Sequence, residues 1–167
     1  MYQISVPPLA RVLGQLQHIL RTGAAHAREQ EIDQAILLSS RLFPNMFDLT
    51  KQVQIATDMS KGCIARLTQQ TAPVFEDNET RFEALCARTQ ATVDFIQSTG
   101  EEQFEGSQQR AIDFKTPRGL LKFTGLSYVQ RFVLPNVHFH TTTAYNILRS
   151  NGVPLSKIDY LGDLPMA

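Results

Sequence analysis

The sequence predicts a mainly α protein: a four-helix bundle with a short β-hairpin between the third and fourth long helices. Four stretches carry apolar residues at the spacing of an amphipathic helix, and one short stretch alternates apolar and polar residues around a Pro/Gly turn. Long helices with short connections are typical of an up-and-down bundle. With 167 residues and 43% hydrophobic residues, the chain is expected to form one domain over residues 1–167.

The first helix is predicted to run from about Pro7 to the high twenties. Ser5 is a favourable capping residue, and proline is tolerated in a first helical turn because no amide hydrogen bond is lost there. Apolar residues then recur at helical spacing, at Leu9, Val12, Leu13, Leu16, Ile19 and Leu20. The short apolar stretch 32–42 is predicted to be a connecting turn of helix, because Pro44 interrupts the pattern.

The second and third long helices repeat the pattern. Apolar residues mark the second helix from Met46 onward, at Leu49, Val53, Ala56, Met59, Cys63 and Leu67. Asp77 and Asn78 are predicted to cap the third helix, and Gly100 is predicted to stop it. Its inward residues are expected to be Phe82, Leu85, Cys86, Thr89, Val93 and Ile96.

The hairpin is predicted from the alternation in residues 111–115 and 120–123, on either side of Thr-Pro-Arg-Gly. Two strands alone are marginal, so their apolar face needs cover from the helices or from a second subunit, and we predict a homodimer. The fourth helix is expected to start near Gly125, to be kinked or split at Pro135 and to end at Asn151-Gly152. Residues 158–162 are expected to form an ordered strap.

Charge and composition exclude several classes of protein. Sixteen basic residues balance sixteen acidic residues, so neither nucleic acid nor an anionic membrane is a predicted partner. No apolar run approaches the roughly 20 residues that span a bilayer, and the N-terminus does not resemble a signal peptide. We therefore expect a cytoplasmic protein, in which Cys63 and Cys86 are small core residues.

Two of the four histidines, His138 and His140, lie close together in the fourth helix. Side chains two residues apart on a helix point about 200° away from each other, so this pair does not suit a shared metal ion. His140 belongs to the apolar face, with Asn136 one helical turn before it. Two interpretations stay open: a buried histidine bonded to a facing polar side chain, or a ligand or proton-transfer residue in a cavity. His138, His18 and His26 are expected near the surface.

Three motifs carry a resemblance to a known family: residues 47–56 (Phe-Asp-Leu-Thr-Lys-Gln-Val-Gln-Ile-Ala), residues 75–80 (Phe-Glu-Asp-Asn-Glu-Thr) and residues 140–154. They resemble a bacterial and fungal family known as domain of unknown function nineteen-ninety-three, across essentially the whole chain. The resemblance implies the DinB/YfiT-like superfamily of four-helix bundles, which are often dimeric. Such bundles commonly hold a divalent metal with three histidines, one from the second helix and a His-x-x-x-His pair from the fourth.

Carried over by position, His140 matches the last of these histidines, and Asn136 stands in place of its partner. The second helix begins with Asn45 and Asp48 and offers no histidine. An asparagine oxygen is a weak ligand for metals such as zinc or nickel. We therefore predict a metal-independent small-ligand-binding or interaction protein without a cofactor. The alternative is a divalent-metal enzyme resembling the thiol transferases, with a degenerate zinc or nickel site around His140. The ligand-pocket candidates are His140, Asn136, Asp48, Asn45 and Tyr145.

Overall fold

The computed structural model describes residues 1–164, and within them four long helices form the predicted bundle. The long helices are α1 (Tyr2–Glu29), α3 (Leu49–Thr68), α4 (Phe82–Gln97) and a composite helix of α5 (Gly125–Tyr128), a π-helical segment (Val129–Val133) and α6 (Leu134–Ser150). The connections contain α2 (Gln34–Ser39) and a 3-10 turn (Glu101–Phe104), and α7 (Lys157–Leu161) follows the bundle. Helix α1 lies against α4, and α3 lies against α6.

The predicted apolar faces meet in one core. Its fully buried members include Leu9, Leu13, Leu16, Ile19 and Leu20 of α1, Val53, Ile64 and Leu67 of α3, Phe82, Leu85 and Ile96 of α4, and Val137, Ile147 and Leu148 of α6. Both cysteines are free thiols, and burial raises the pKa of Cys63 to about 12. Such a thiol stays protonated at neutral pH, which suits a packing role.

The start of α1 differs from its prediction. The helix begins at Tyr2, and Ser5 lies inside it with its hydroxyl donating to the carbonyl of Met1 at 3.0 Å. The predicted Ser5 cap is therefore wrong. Pro7 and Pro8 also lie within the helix. Because they come so early, they remove only hydrogen bonds to carbonyls close to its free end.

The cap of α4 was also predicted wrongly. Asp77 and Asn78 lie upstream of the helix, whose N-cap position is held by Arg81 without a side-chain hydrogen bond. Instead, the Gln34 side chain of α2 accepts a hydrogen bond from the Phe82 amide at 3.1 Å. The Asp77 carboxylate has ionic partners instead, which draw it away from the helix end.

The hairpin is present, and the helices cover part of its apolar face. Strand β1 (Ala111–Thr116) pairs antiparallel with β2 (Gly119–Thr124). The rings of Phe114 and Phe123 lie 4.8 and 5.4 Å from the ring of Phe132, centroid to centroid. The helices thus cover Ile112, Phe114 and Phe123, which supports a pair of strands that would be marginal alone, while Leu121 stays 38% exposed.

Pro135 coincides with the predicted break in the fourth helix. The π-helical segment ends immediately before Leu134-Pro135, and α6 continues from there. Proline has no amide hydrogen to donate to the preceding turn, so the helical hydrogen-bond pattern must change next to it. No helix within residues 1–164 combines the length and the hydropathy that a bilayer crossing requires.

Candidate functional site

His140 lies between α3 and α6, where it forms a hydrogen bond with a glutamine. Its exposed fraction is 9%, and its Nδ1 lies 2.7 Å from Oε1 of Gln52 on α3. The Gln52 Nε2 donates to the carbonyl oxygen of Phe47 at 3.0 Å. Sequence reasoning expected a polar partner for His140 but did not identify Gln52. A signal was present, since Gln52 is three residues after Leu49 and four before Ala56, on the buried face of α3.

These contacts determine the tautomer of His140. The Phe47 carbonyl can only accept, so the Gln52 amide must turn its Nε2 toward Phe47 and its Oε1 toward His140. The Nδ1 of His140 therefore carries the proton, and burial lowers the pKa of the imidazole below its ordinary value. The neutral ring keeps a lone pair on Nε2, which has no hydrogen-bond partner within residues 1–164 and is not fully buried.

The other predicted pocket residues make contacts elsewhere rather than hydrogen bonds with His140. The Asn136 Nδ2 donates to the carbonyl of Phe132 at 2.6 Å, along its own helix. Asp48 caps α3 by accepting from the Lys51 amide at 2.9 Å. Asn45 is exposed in the connection between α2 and α3. Within residues 1–164, none of these side chains forms a hydrogen bond with His140.

Tyr145 belongs to a different contact, at the C-terminal strap. Its ring lies edge-on to that of Tyr160, 6.3 Å away between centroids. The Tyr160 hydroxyl lies 3.0 Å from Nδ1 of His138, and His18 of α1 lies 2.9 Å from Asp159. His138 and His18 therefore help to hold α7 against the bundle, in agreement with the expected strap and with their predicted position near the surface.

The side chains around His140 do not fit a divalent metal site. Asn136 is turned toward a backbone carbonyl, and Nδ1 of His140 is protonated and bound to Gln52. Only the Nε2 lone pair remains as a ligand, whereas a zinc site usually draws three or four ligands from the protein. Across the described residues, no three His, Cys, Asp or Glu side chains come together in a way that could hold a metal ion.

A groove of about 460 Å³ lies between α2 and the start of α3, next to the buried pair of Gln52 and His140. Its lining includes Leu38, Phe47, Asp48, Lys51, Gln54 and Thr80. Of the predicted pocket residues, Asp48 lines the groove. Phe47 connects the groove to the buried pair. It lines the groove, and its carbonyl oxygen accepts a hydrogen bond from Gln52. Groove volumes of this size accommodate small molecules.

A second polar cluster surrounds Arg88 of α4, whose side chain is 2% exposed. Its Nη1 donates to Asp77 at 2.7 Å and to Glu79 at 2.8 Å, and its Nη2 donates to Asp58 at 2.8 Å. Its Nε donates to the hydroxyl of Thr57 at 2.8 Å. The guanidinium also lies over the ring of Phe75, 4.7 Å from its centroid.

Sequence reasoning missed this cluster, although residues 75–80 were recognised as a motif. The structure shows that this motif supplies Phe75, Asp77 and Glu79 to Arg88. Burial tends to raise the pKa of both carboxyl groups. Hydrogen bonds from Arg88, from Lys51 to Asp77 and from Gln54 to Glu79 outweigh burial and hold both pKa values below their ordinary range.

The lowered pKa of His140 predicts a pH effect on stability. Below about pH 6.5 the unfolded chain takes up a proton at this residue that the folded chain resists, so stability falls as the pH drops. The free energy of unfolding, measured in urea between pH 8 and pH 5, should fall more steeply in the wild type than in His140→Phe. The contact between His18 and Asp159 is present in both proteins and cancels in the comparison. Parallel pH profiles would contradict this assignment.

The fold and the site define a DinB-like helical bundle in which His140, matched by the resemblance to a ligand histidine, is paired with a glutamine. The model of the family "Domain of unknown function (DUF1993)" matches residues 1–161, and the chain belongs to that family. It is also similar to a DinB family member protein from Shewanella denitrificans, whose crystal structure was determined at 1.83 Å resolution. The two share 37% sequence identity with a TM-score of 0.89, over 99% of this chain and 94% of that chain. A search of the curated proteins finds no match.

Proposed function

We propose that this protein is a metal-independent small-ligand-binding or interaction protein that retains the DinB-like bundle. The hydrogen bond between Gln52 and His140 carries the proposal, since it occupies Nδ1 of His140 and places a neutral amide oxygen of α3 against the ring. A neutral amide is a poor ligand for zinc or nickel, which favour imidazole and thiolate. The homodimer and the cytoplasmic location predicted from the sequence are part of the same proposal.

The groove between α2 and α3 is the proposed binding site. Its apolar wall includes Leu38 and Phe47, and Phe47 is 57% exposed. An apolar wall beside a few polar groups is typical of small-molecule sites. The proposed ligand therefore has an apolar part that covers Phe47.

A second candidate function is the divalent-metal enzyme resembling the thiol transferases. One observation favours it: Nε2 of His140 keeps a lone pair that is not fully buried. A metal held there would draw one histidine from the protein and would need its remaining ligands from solvent or substrate.

The groove can be tested with a single tryptophan, because the chain has none. In Phe47→Trp, titration with the neutral nitroxide 4-benzoyloxy-TEMPO, which quenches an indole only at close range, should reduce the tryptophan emission saturably as the nitroxide covers the indole. The matched control is Phe43→Trp, an exposed phenylalanine in the same connection that does not line the groove. Equal quenching in the two variants, or no saturable quenching in Phe47→Trp, would contradict the proposed site.

A further inference from the structure

Three hydrogen-bond donors converge on the carboxylates of Asp77 and Glu79. Nη1 of Arg88 binds both carboxylates, Nζ of Lys51 binds Asp77 at 3.1 Å, and Nε2 of Gln54 binds Glu79 at 2.9 Å. Arg88 and Lys51 bring positive charge, and Gln54 brings a neutral donor. This arrangement of donors is one that recognises carboxylates and phosphates.

Without Asp77 and Glu79, the charged side chains around these donors have a net charge of plus two. Arg88, Lys51 and Lys61 contribute three positive charges, and Asp58, which binds both Arg88 and Lys61, contributes one negative charge. The remaining charge of plus two is balanced by Asp77 and Glu79. Both of these carboxylates come from the connection formed by residues 70–81, in which the structure shows neither helix nor strand.

Two of the three donors also lie at the groove between α2 and α3, while Arg88 lines a neighbouring cleft together with Glu79. Lys51 and Gln54 line that groove, together with Thr80, the residue that follows Glu79. A molecule in the groove therefore approaches Lys51 and Gln54, two of the donors that hold the connection in place. Connections of this length without regular structure are uncommon in compact domains and are often functional.

We propose that Arg88, Lys51 and Gln54 form a binding site for a small dianion, a dicarboxylate or a phosphate, and that Asp77 and Glu79 fill this site as an internal ligand. A dianion entering from the groove displaces the two carboxylates and releases residues 70–81. This inference rests on the groove proposed above as the ligand site, and it adds the chemical class of the ligand and a movement linked to binding.

The test uses Asp77→Asn/Glu79→Gln, which keeps the side-chain size and removes both internal charges. Malonate and phosphate should each raise the melting temperature of this variant saturably. The dissociation constants from these titrations should be at least tenfold lower than in the wild type. Adding Lys51→Met should weaken that binding at least tenfold. A response to one anion alone would support the site and identify its ligand as a dicarboxylate or a phosphate. A response to both anions no larger than that to sodium chloride at matched ionic strength would overturn the proposal.

Two further measurements apply if the double variant does not fold and to the wild-type protein. If the double variant does not fold, the single variant Asp77→Asn should show the same saturable stabilisation, and its absence would also overturn the proposal. In the wild type, malonate should speed cleavage at the exposed Glu76 by a glutamate-specific protease, since the connection is released. Unchanged cleavage would contradict the displacement. The quencher titration tests the apolar wall of the groove, and these experiments test the charged donors, so the two proposals can fail separately.

Discussion

Replacing Arg88 with methionine is expected to lower the free energy of unfolding by about 3–5 kcal/mol, the range found when one partner of a buried ion pair is removed. The side chain is 2% exposed and binds Asp58, Asp77 and Glu79, so its loss leaves Glu79 without a cation and the other two with one lysine each. The unpaired carboxylate of Glu79 should account for most of the lost stability, because its side chain is only 8% exposed. Urea unfolding at pH 7 measures the change.

The matched control for this prediction is Arg81→Met. Arg81 immediately precedes α4, and its side chain is 70% exposed with Glu83 as its ionic partner at 3.6 Å. Exposed ion pairs contribute little to stability, so this variant should stay within about 0.5 kcal/mol of the wild type. Similar losses in the two variants, or a loss below about 1 kcal/mol in Arg88→Met, would show that the cluster does not stabilise the fold.

Replacing His140 with alanine is expected to cost about 1–3 kcal/mol, because it leaves the buried amide oxygen of Gln52 without its donor. His140→Phe refills the space without restoring the hydrogen bond, so it should recover part of the loss. Chemical unfolding of the two variants beside the wild type measures both effects. Equal stability of wild type and His140→Ala would contradict the structural role of the pair.

A double-mutant cycle separates the hydrogen bond from the packing. Gln52→Leu removes the same interaction from the α3 side. If the two residues act as a pair, the losses of Gln52→Leu and His140→Phe should not add in the double variant. Additive losses would mean that each side chain stabilises the protein through other contacts.

The helices and the hairpin could be predicted because local patterns determine them. The apolar faces of α1, α3, α4 and α6 repeat at helical spacing and are buried, although Met59, Cys86 and Val93 are only partly buried. The hairpin follows from alternation around a Pro/Gly turn. In each case the signal lies within the element itself, so no knowledge of its neighbours was needed.

The polar contacts of the site could not be predicted in the same way, because their partners are distant in the sequence. Gln52 and His140 are 88 positions apart, and Asp58 and Arg88 are 30 apart. Asp77 shows the difficulty most clearly. Its residue type favours a helix cap, yet Arg88 and Lys51 together bind it instead. Which partner such a carboxylate takes is decided only when the helices are packed.

The central claim is that this DinB-like bundle functions without a metal at His140, and metal analysis of protein purified without an affinity tag tests it most directly. We expect zinc and nickel contents far below one per chain, and a melting temperature that a chelator does not change. Stoichiometric metal, a chelator-sensitive melt restored by added zinc or nickel, and loss of both in His140→Phe would contradict the claim and support the enzyme.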